Sequence, residues 1–178
     1  DLVANAPHVP VHLGSMSESI KTIIRENFDT MSRGDAFLIN APYNGGTHLP
    51  DITLIKPVYD ENSEKVIFYV ATRGHHADIG GTVPGSAPAN SSHVKEEGIL
   101  IDNFTLVSKG VFLEKEIYDL LSSGEYPARN IQQNIADLKA QVAAAEKGSQ
   151  ELLKVIKNYG LGVVHAYMKH VQDNAEES

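Results

Sequence analysis

Ile20, Ile23, Ile24, Phe28 and Met31 recur at three- and four-residue spacing, the period of one face of a helix. Ser15 and Glu18 just ahead of them match a capping box, and Gly34 offers a stop, so a helix is predicted over 16–33. The stretch before it, Asn5-Ala6-Pro7-His8-Val9-Pro10-Val11-His12-Leu13-Gly14, carries two prolines and reads as irregular. A short strand is predicted over 36–40. Two longer apolar runs follow, 52–59 and 65–72, rich in β-branched and aromatic residues and separated by Asp60-Glu61-Asn62-Ser63. They read as a hairpin. Further on, 82–92 is a proline- and serine-rich loop or lid, 98–107 a strand bent near Asp102, and 112–121 a short amphipathic helix. From Ala128 onward, Ile131, Ile135, Leu138, Val142, Ala145, Leu152 and Ile156 form a helical seam in which Ser149 is the polar member. Gly148 is a candidate kink, and Tyr159-Gly160 separates a last helix over 161–175 with Val164, Met168 and Val171 inward.

This order predicts an α+β fold, β-rich over 1–110 with a central hairpin, and helical over 111–178, with long helices in the C-terminal third. At 178 residues the chain is a single domain's worth of material. Its net charge of −8 argues against nucleic acid as a partner, because phosphate binding needs clustered Lys and Arg. No apolar stretch approaches the roughly 20 residues of a membrane span. The chain opens Asp1-Leu2-Val3 without a methionine, which points to a start lying upstream. With no cysteine, disulfides and thiolate ligands are excluded, a cytoplasmic location is expected, and any metal would take N and O ligands.

The hairpin brings chemistry together. It is flanked by Asn44-Gly45-Gly46-Thr47-His48-Leu49-Pro50-Asp51 and by Arg73-Gly74-His75-His76-Ala77-Asp78-Ile79-Gly80-Gly81. With Asn62 at the turn centre, Asp51 falls near Arg73 and His48 near His76, give or take two residues. A His-x-x-Asp pair with one or two histidines on the facing strand supplies three or four N/O ligands, a set suited to Zn, Mn or Fe(II). The plainer alternative is loop histidines beside a turn-capping aspartate. Neighbours in an extended chain point to opposite faces, so His75 and His76 do not readily serve one site. The pairing leans towards His76, and its uncertainty spans both. Asp78 either orients a ligand histidine or caps the turn before Gly80. The glycine pairs permit close backbone approach, but no Gly-Lys-Ser/Thr follows, so no P-loop is present. His8 and His12 are structural or substrate-contact candidates ahead of metal ligands. Residues 130, 133, 134 and 137 share one helical face, either a hydrogen-bonding surface or a solvated one.

The motifs Asn5-Ala6-Pro7-His8-Val9-Pro10-Val11-His12-Leu13-Gly14-Ser15-Met16, Gly45-Gly46-Thr47-His48-Leu49-Pro50-Asp51, Arg73 to Gly81 and Gln133-Asn134-Ile135-Ala136-Asp137-Leu138 together resemble the hydantoinase B/oxoprolinase family. The likeness runs essentially end to end. Members of that family are longer, which implies a single internal fragment over 1–178. The resemblance implies ATP-dependent hydrolytic opening of a cyclic amide of the 5-oxoproline or hydantoin type. It also implies a hydantoinase A-type partner subunit or domain that binds ATP and Mg, in an oligomeric complex, with the isolated fragment inactive. The alternatives are a subunit of the acetone/acetophenone carboxylase type, or an assembly scaffold whose metal is structural. In the carboxylase branch the family's metal pattern is a His-x-x-Asp pair plus a later histidine, which falls here on His48, Asp51 and either His75 or His76. The resulting assignment gives the metal to His48, Asp51 and His75, catalysis to His12, His76 and Asp78, and substrate binding to Asn44, Gly46, Arg73, Asn134 and Asp137.

Overall fold

The protein is described here by a computed structural model covering residues 3–5 and 10–176. His8 therefore lies outside the described residues. Five antiparallel strands form one sheet: β1 (Ala36–Ile39), β2 (Asp51–Tyr59), β3 (Val66–His75), β4 (Phe104–Ser108) and β5 (Val111–Phe112), in the order β3-β2-β1-β4-β5. Helix α1 (Pro10–Asn27) covers one face. Helices α3 (Glu114–Leu121) and α4 (Ile131–Tyr159) cover the other, α2 (Val94–Glu97) is a single turn, and α5 (Leu161–Glu176) packs on α4.

Period-two alternation builds both cores from the same strands. Ala36, Leu38, Ile52 and Leu54 point towards Ile117, Leu121, Ile135, Leu138 and Ala145. Phe37, Ile39 and Ile55 point the other way and pack with Ile23 of α1. Covered on both faces, β2 is buried almost throughout, as its nearly unbroken apolar run anticipates, whereas β3 at the sheet edge is partly exposed. The α+β organisation, the hairpin and the helical C-terminal third all follow the reading of the sequence.

Several boundaries differ. The first helix begins at Pro10, six residues before the expected start, because proline is well suited to a first helical turn, where its missing N–H is no loss. Ser15 lies inside this helix and donates to His12 O instead of capping its start. The helix ends at Asn27, so Phe28 is left 79% exposed. Asn103 adopts a positive φ of 60°, which confines the regular strand to Phe104–Ser108 and accounts for the bend near Asp102. Helix α4 runs unbroken through Gly148, where a Cβ would stand 3.2 Å from Val70 Cγ1; the glycine lets the helix approach β3. Val171 is 42% exposed and not inward.

Asn40, fully buried at the end of β1, ties three segments together. Its side chain donates to Leu49 O and Ile99 O and accepts from Ile101 N. Truncation would leave three backbone groups unsatisfied, two of them buried and one partly so, each worth roughly 1 kcal/mol. Asn40→Ala is expected to lower unfolding stability by about 3 kcal/mol in denaturant titrations, and a change below about 1 kcal/mol would show that water replaces these bonds.

Candidate metal centre

The register of the hairpin decides which residues meet. Asp51 pairs with His75, Thr53 with Arg73 and Ile55 with Ala71. The centre of this pairing sits one residue beyond the expected Asn62, and a bulge between Val58 and Tyr59 absorbs part of the difference on the turn side. Directly opposed residues share a face, so Asp51, Thr53, Arg73 and His75 all look towards α1. Thr72, Gly74 and His76 look towards α4.

On the α1 side, ligand atoms of His48, Asp51 and His75 all lie within 4.8 Å of one another. His48 comes from the loop before β2, where Asp51 N donates to His48 O and closes a turn. Its ring stacks on that of His75, with centroids 5.6 Å apart. Asp51 is the buried member, its side chain 10% exposed. Its Oδ1 lies 2.7 Å from His75 Nδ1, and its Oδ2 accepts from Thr47 Oγ1 at 3.1 Å and stands 3.8 Å from His12 Nε2. Burial pushes the Asp51 pKa up, but the hydrogen bonds from His75 and Thr47 outweigh it and hold the carboxyl below its ordinary value. The cluster thus has an ionised carboxylate beneath two exposed imidazoles, an N/O donor set that fits Zn, Mn or Fe.

Other candidates stand elsewhere. Arg73 is assigned to substrate by the sequence, yet its guanidinium points under α1. There Nε donates to Thr53 Oγ1, Nη1 to Ser15 Oγ, and Nη2 to Ser19 Oγ and Gly45 O. Gly46 presses its backbone against Asn40 and Ala41 and donates to Ala41 O. Asn44 reaches from the same loop to the Asp102 carboxylate at 3.0 Å.

His76 points away from the cluster and is 1% exposed. Its Nε2 meets Gln141 Oε1 at 3.2 Å, and its Nδ1 meets Asn134 Nδ2 at 3.2 Å. Asn134, buried as well, also donates to Asp78 O, and Gln141 Nε2 to Ile52 O. These two amides clamp α4 to the hairpin, so neither His76 nor Asn134 faces the cluster: alternation past the end of β3 turns His76 to the opposite face, where Asn134 on α4 meets it. Asp78 accepts from Gly80 N, Gly85 N, Arg129 N and Arg129 Nη1, which fills its carboxylate with loop contacts and leaves no bond to His75. Burial raises the Asp78 pKa, and these four donors bring it below its ordinary value. Asp137 accepts from Gln133 on the helix surface.

Sequence reading missed Thr47, Ser15, Ser19 and Gln141. Gln141 was legible as a polar residue on the buried face one heptad beyond Asn134. Ser15 and Ser19 share a helical face with His12.

Burial pushes the His76 pKa down, only partly opposed by the Gln141 bond and Asp137. An unfolded imidazole titrates near about 6.5. Between that value and the lower folded one, the unfolded chain binds more protons, so stability rises with pH. The His76 contribution is complete above about 6.5 and is lost as pH falls from there through the folded value. Thermal melts from pH 7.5 to 5.5 are expected to show this loss, and His76→Gln to flatten the slope; equal slopes would place the proton uptake elsewhere.

The hydantoinase B/oxoprolinase family matches residues 1–178. The 5-oxoprolinase 1 of Arabidopsis thaliana is 49% identical over 185 residues, covering 99% of this chain and 14% of the plant protein. The crystal structure of ATP-dependent caprolactamase from Pseudomonas jessenii superposes with a TM-score of 0.87 at 28% identity, over 98% of this chain and 29% of that one. A nucleotide-free acetone carboxylase shares the fold, with a TM-score of 0.80 at 20% identity, over 94% of this chain and 21% of that one. Fold and sequence agree end to end, and the chain belongs to the hydantoinase B/oxoprolinase family.

Proposed function

We propose that this chain is the metal-bearing segment of an enzyme that opens a cyclic amide, of the 5-oxoproline or hydantoin type, with water and at the expense of ATP. The observation that carries this reading is the meeting of His48, Asp51 and His75 within 4.8 Å in a chain 49% identical to a 5-oxoprolinase. These three residues would hold one divalent ion, Zn, Mn or Fe. A divalent ion there supplies Lewis acidity, which assists attack on a carbonyl carbon. Asp51 contributes the negative charge, kept ionised by its hydrogen bonds to Thr47 and His75. His48 and His75, exposed at the rim, leave the cluster open on the solvent side, which favours a reacting centre over a closed structural one. Asn44, on the loop that leads to His48, is assigned to the ring substrate through its side-chain carbonyl, its Nδ2 being held by the Asp102 carboxylate. Phosphorylation of the ring amide is assigned to a hydantoinase A-type domain or subunit that holds ATP and Mg. In support, the caprolactamase relative is ATP-dependent and this chain matches 29% of it. The reading extends to a cytoplasmic, oligomeric complex in which this segment depends on that partner.

The hydrolase reading stands ahead of carboxylation because the 5-oxoprolinase likeness, at 49% identity, far exceeds the 20% to the carboxylase. Assayed together with its ATP-binding partner on 5-oxoproline, the protein is expected to consume ATP and release glutamate. His48→Ala should reduce that rate by more than about 100-fold, since a lost ligand outweighs the loss of a supporting residue. Full activity in His48→Ala would remove the residue from the site, and bicarbonate-dependent turnover of a ketone would move the protein to the carboxylase branch.

A further inference from the structure

The hydrogen bonds around His12 determine what that residue can offer the cluster. The Arg73 guanidinium has five N–H donors in a rigid plane. Its partners are Thr53 Oγ1 at 2.7 Å, Ser15 Oγ at 2.6 Å, Ser19 Oγ at 3.3 Å, Gly45 O at 3.2 Å and His12 Nδ1 at 3.2 Å. All five donors are therefore placed. They come from three directions: α1, the strand β2 and the glycine loop. A fork held on every tooth cannot turn aside from His12.

Arg73 has no lone pair, so the contact with His12 Nδ1 has one polarity: the guanidinium donates and Nδ1 accepts. We propose that Arg73 is a positioning residue that fixes His12 as the Nε2–H tautomer, with the Nδ1 lone pair turned to the guanidinium. His12 then presents an N–H donor to the His48–Asp51–His75 cluster, and not a lone pair. The opposite tautomer would set Nδ1–H against an Arg73 N–H that is buried under α1. Thr47 Oγ1, at 3.4 Å, could accept from Nδ1–H only with the nearer Arg73 donor left facing a second donor. An unsatisfied buried charged donor is unfavourable enough to hold that form below about one part in ten.

The consequence separates His12 from the ligands around it. His12 Nε2 points at Asp51 Oδ2 across 3.8 Å, near enough to be counted with the cluster. With its hydrogen on Nε2 and its lone pair turned to Arg73, His12 does not join His48, Asp51 and His75 in a coordination shell. It stands beside them as an N–H donor directed at Asp51 Oδ2. This exclusion from the shell rests on the proposed metal site, whereas the tautomer itself does not.

Long-range proton–nitrogen NMR of the ¹⁵N-histidine-labelled chain at neutral pH reads each ring nitrogen directly. His12 is expected to show a protonated Nε2 and an unprotonated Nδ1, and to keep both signatures when Zn²⁺ is added. His48 and His75 should acquire metal-bound nitrogen shifts in the same titration. In Arg73→Met the His12 signals should move to a mixture of tautomers, a change of about tenfold in their ratio, and Arg73→Lys should restore much of the original ratio. A wild-type His12 protonated at Nδ1, or a His12 nitrogen taking a metal-bound shift, would overturn the proposal without any variant. If Zn²⁺ moves none of the histidines while His12 stays Nε2-protonated, the metal reading fails and the tautomer assignment stands.

Discussion

Asp51→Asn is expected to weaken divalent-ion binding more than any other single substitution in the chain. Asp51 is the only carboxylate of the cluster and is buried between two exposed histidines. Its charge is kept in place by the hydrogen bonds from His75 and Thr47, which outweigh the burial that would protonate it. The amide preserves shape and removes the charge, so the two imidazoles alone would remain to attract the ion. Loss of a residue that merely supports a ligand lowers metal affinity by about 10- to 100-fold. Loss of this ligand should exceed the upper figure in a competition titration. Unfolding stability without metal should change by less than about 1 kcal/mol, because the asparagine Oδ1 can still accept from His75 or Thr47. Affinity within about threefold of wild type would show that the carboxylate serves the fold alone.

Gly46→Ala should have a large effect on stability. A Cβ at position 46 would stand 2.0 Å from Asn40 O and 2.6 Å from Ala41 O, both backbone atoms that cannot swing aside. Gly46 N also donates to Ala41 O, so the loop cannot back away without losing that bond. Overpacking of this severity is expected to cost about 3 kcal/mol or more. The same shift would drag Thr47 and His48 with it, so metal affinity should fall together with the melting temperature. A folded Gly46→Ala with unchanged affinity would mean that the loop has room the geometry denies. Gly45 has a different reason for being glycine. Its φ is 94°, and its Cβ would meet the backbone of Ser19 at 2.2 Å, so this glycine is what brings α1 down onto the site.

Most of the fold was legible because its signals are local and periodic. The hairpin, the long C-terminal helices and their punctuation at Gly160 all lie where period-two and period-3.6 patterns place them. The boundaries that moved were set by other forces. Pro10 starts α1, and the Ser15–Glu18 match to a capping box is coincidental to that start. The pairing of Asp51 moved by two residues, from Arg73 to His75: one comes from the bulge at Val58/Tyr59 and one from a turn centred between Asn62 and Ser63, and no pattern announces either.

The choice between His75 and His76 was more accessible than it looked. Opposed residues in an antiparallel pair share a face, and the expected pairing of Asp51 with Arg73 already joins two odd positions. A shift by two residues keeps that parity, so His75 falls on the face of Asp51 in either register. The observed partner of Asp51 is His75. What no local pattern contains is the meeting of Arg73 with His12, Ser15 and Ser19, since β3 and α1 are distant in sequence. Asn134 and Gln141 were partly visible, as polar residues interrupting a buried seam, but their target, His76, follows only once the hairpin face is known.

X-ray absorption of the chain loaded with one equivalent of Zn²⁺ tests the central claim most directly. Two imidazole groups and at least one carboxylate oxygen are predicted in the first coordination shell, with about 2.0–2.2 Å between ion and ligands, and one imidazole fewer in His75→Ala but not in His76→Gln. A spectrum of fully hydrated zinc, or a shell unchanged by His75→Ala, would contradict it.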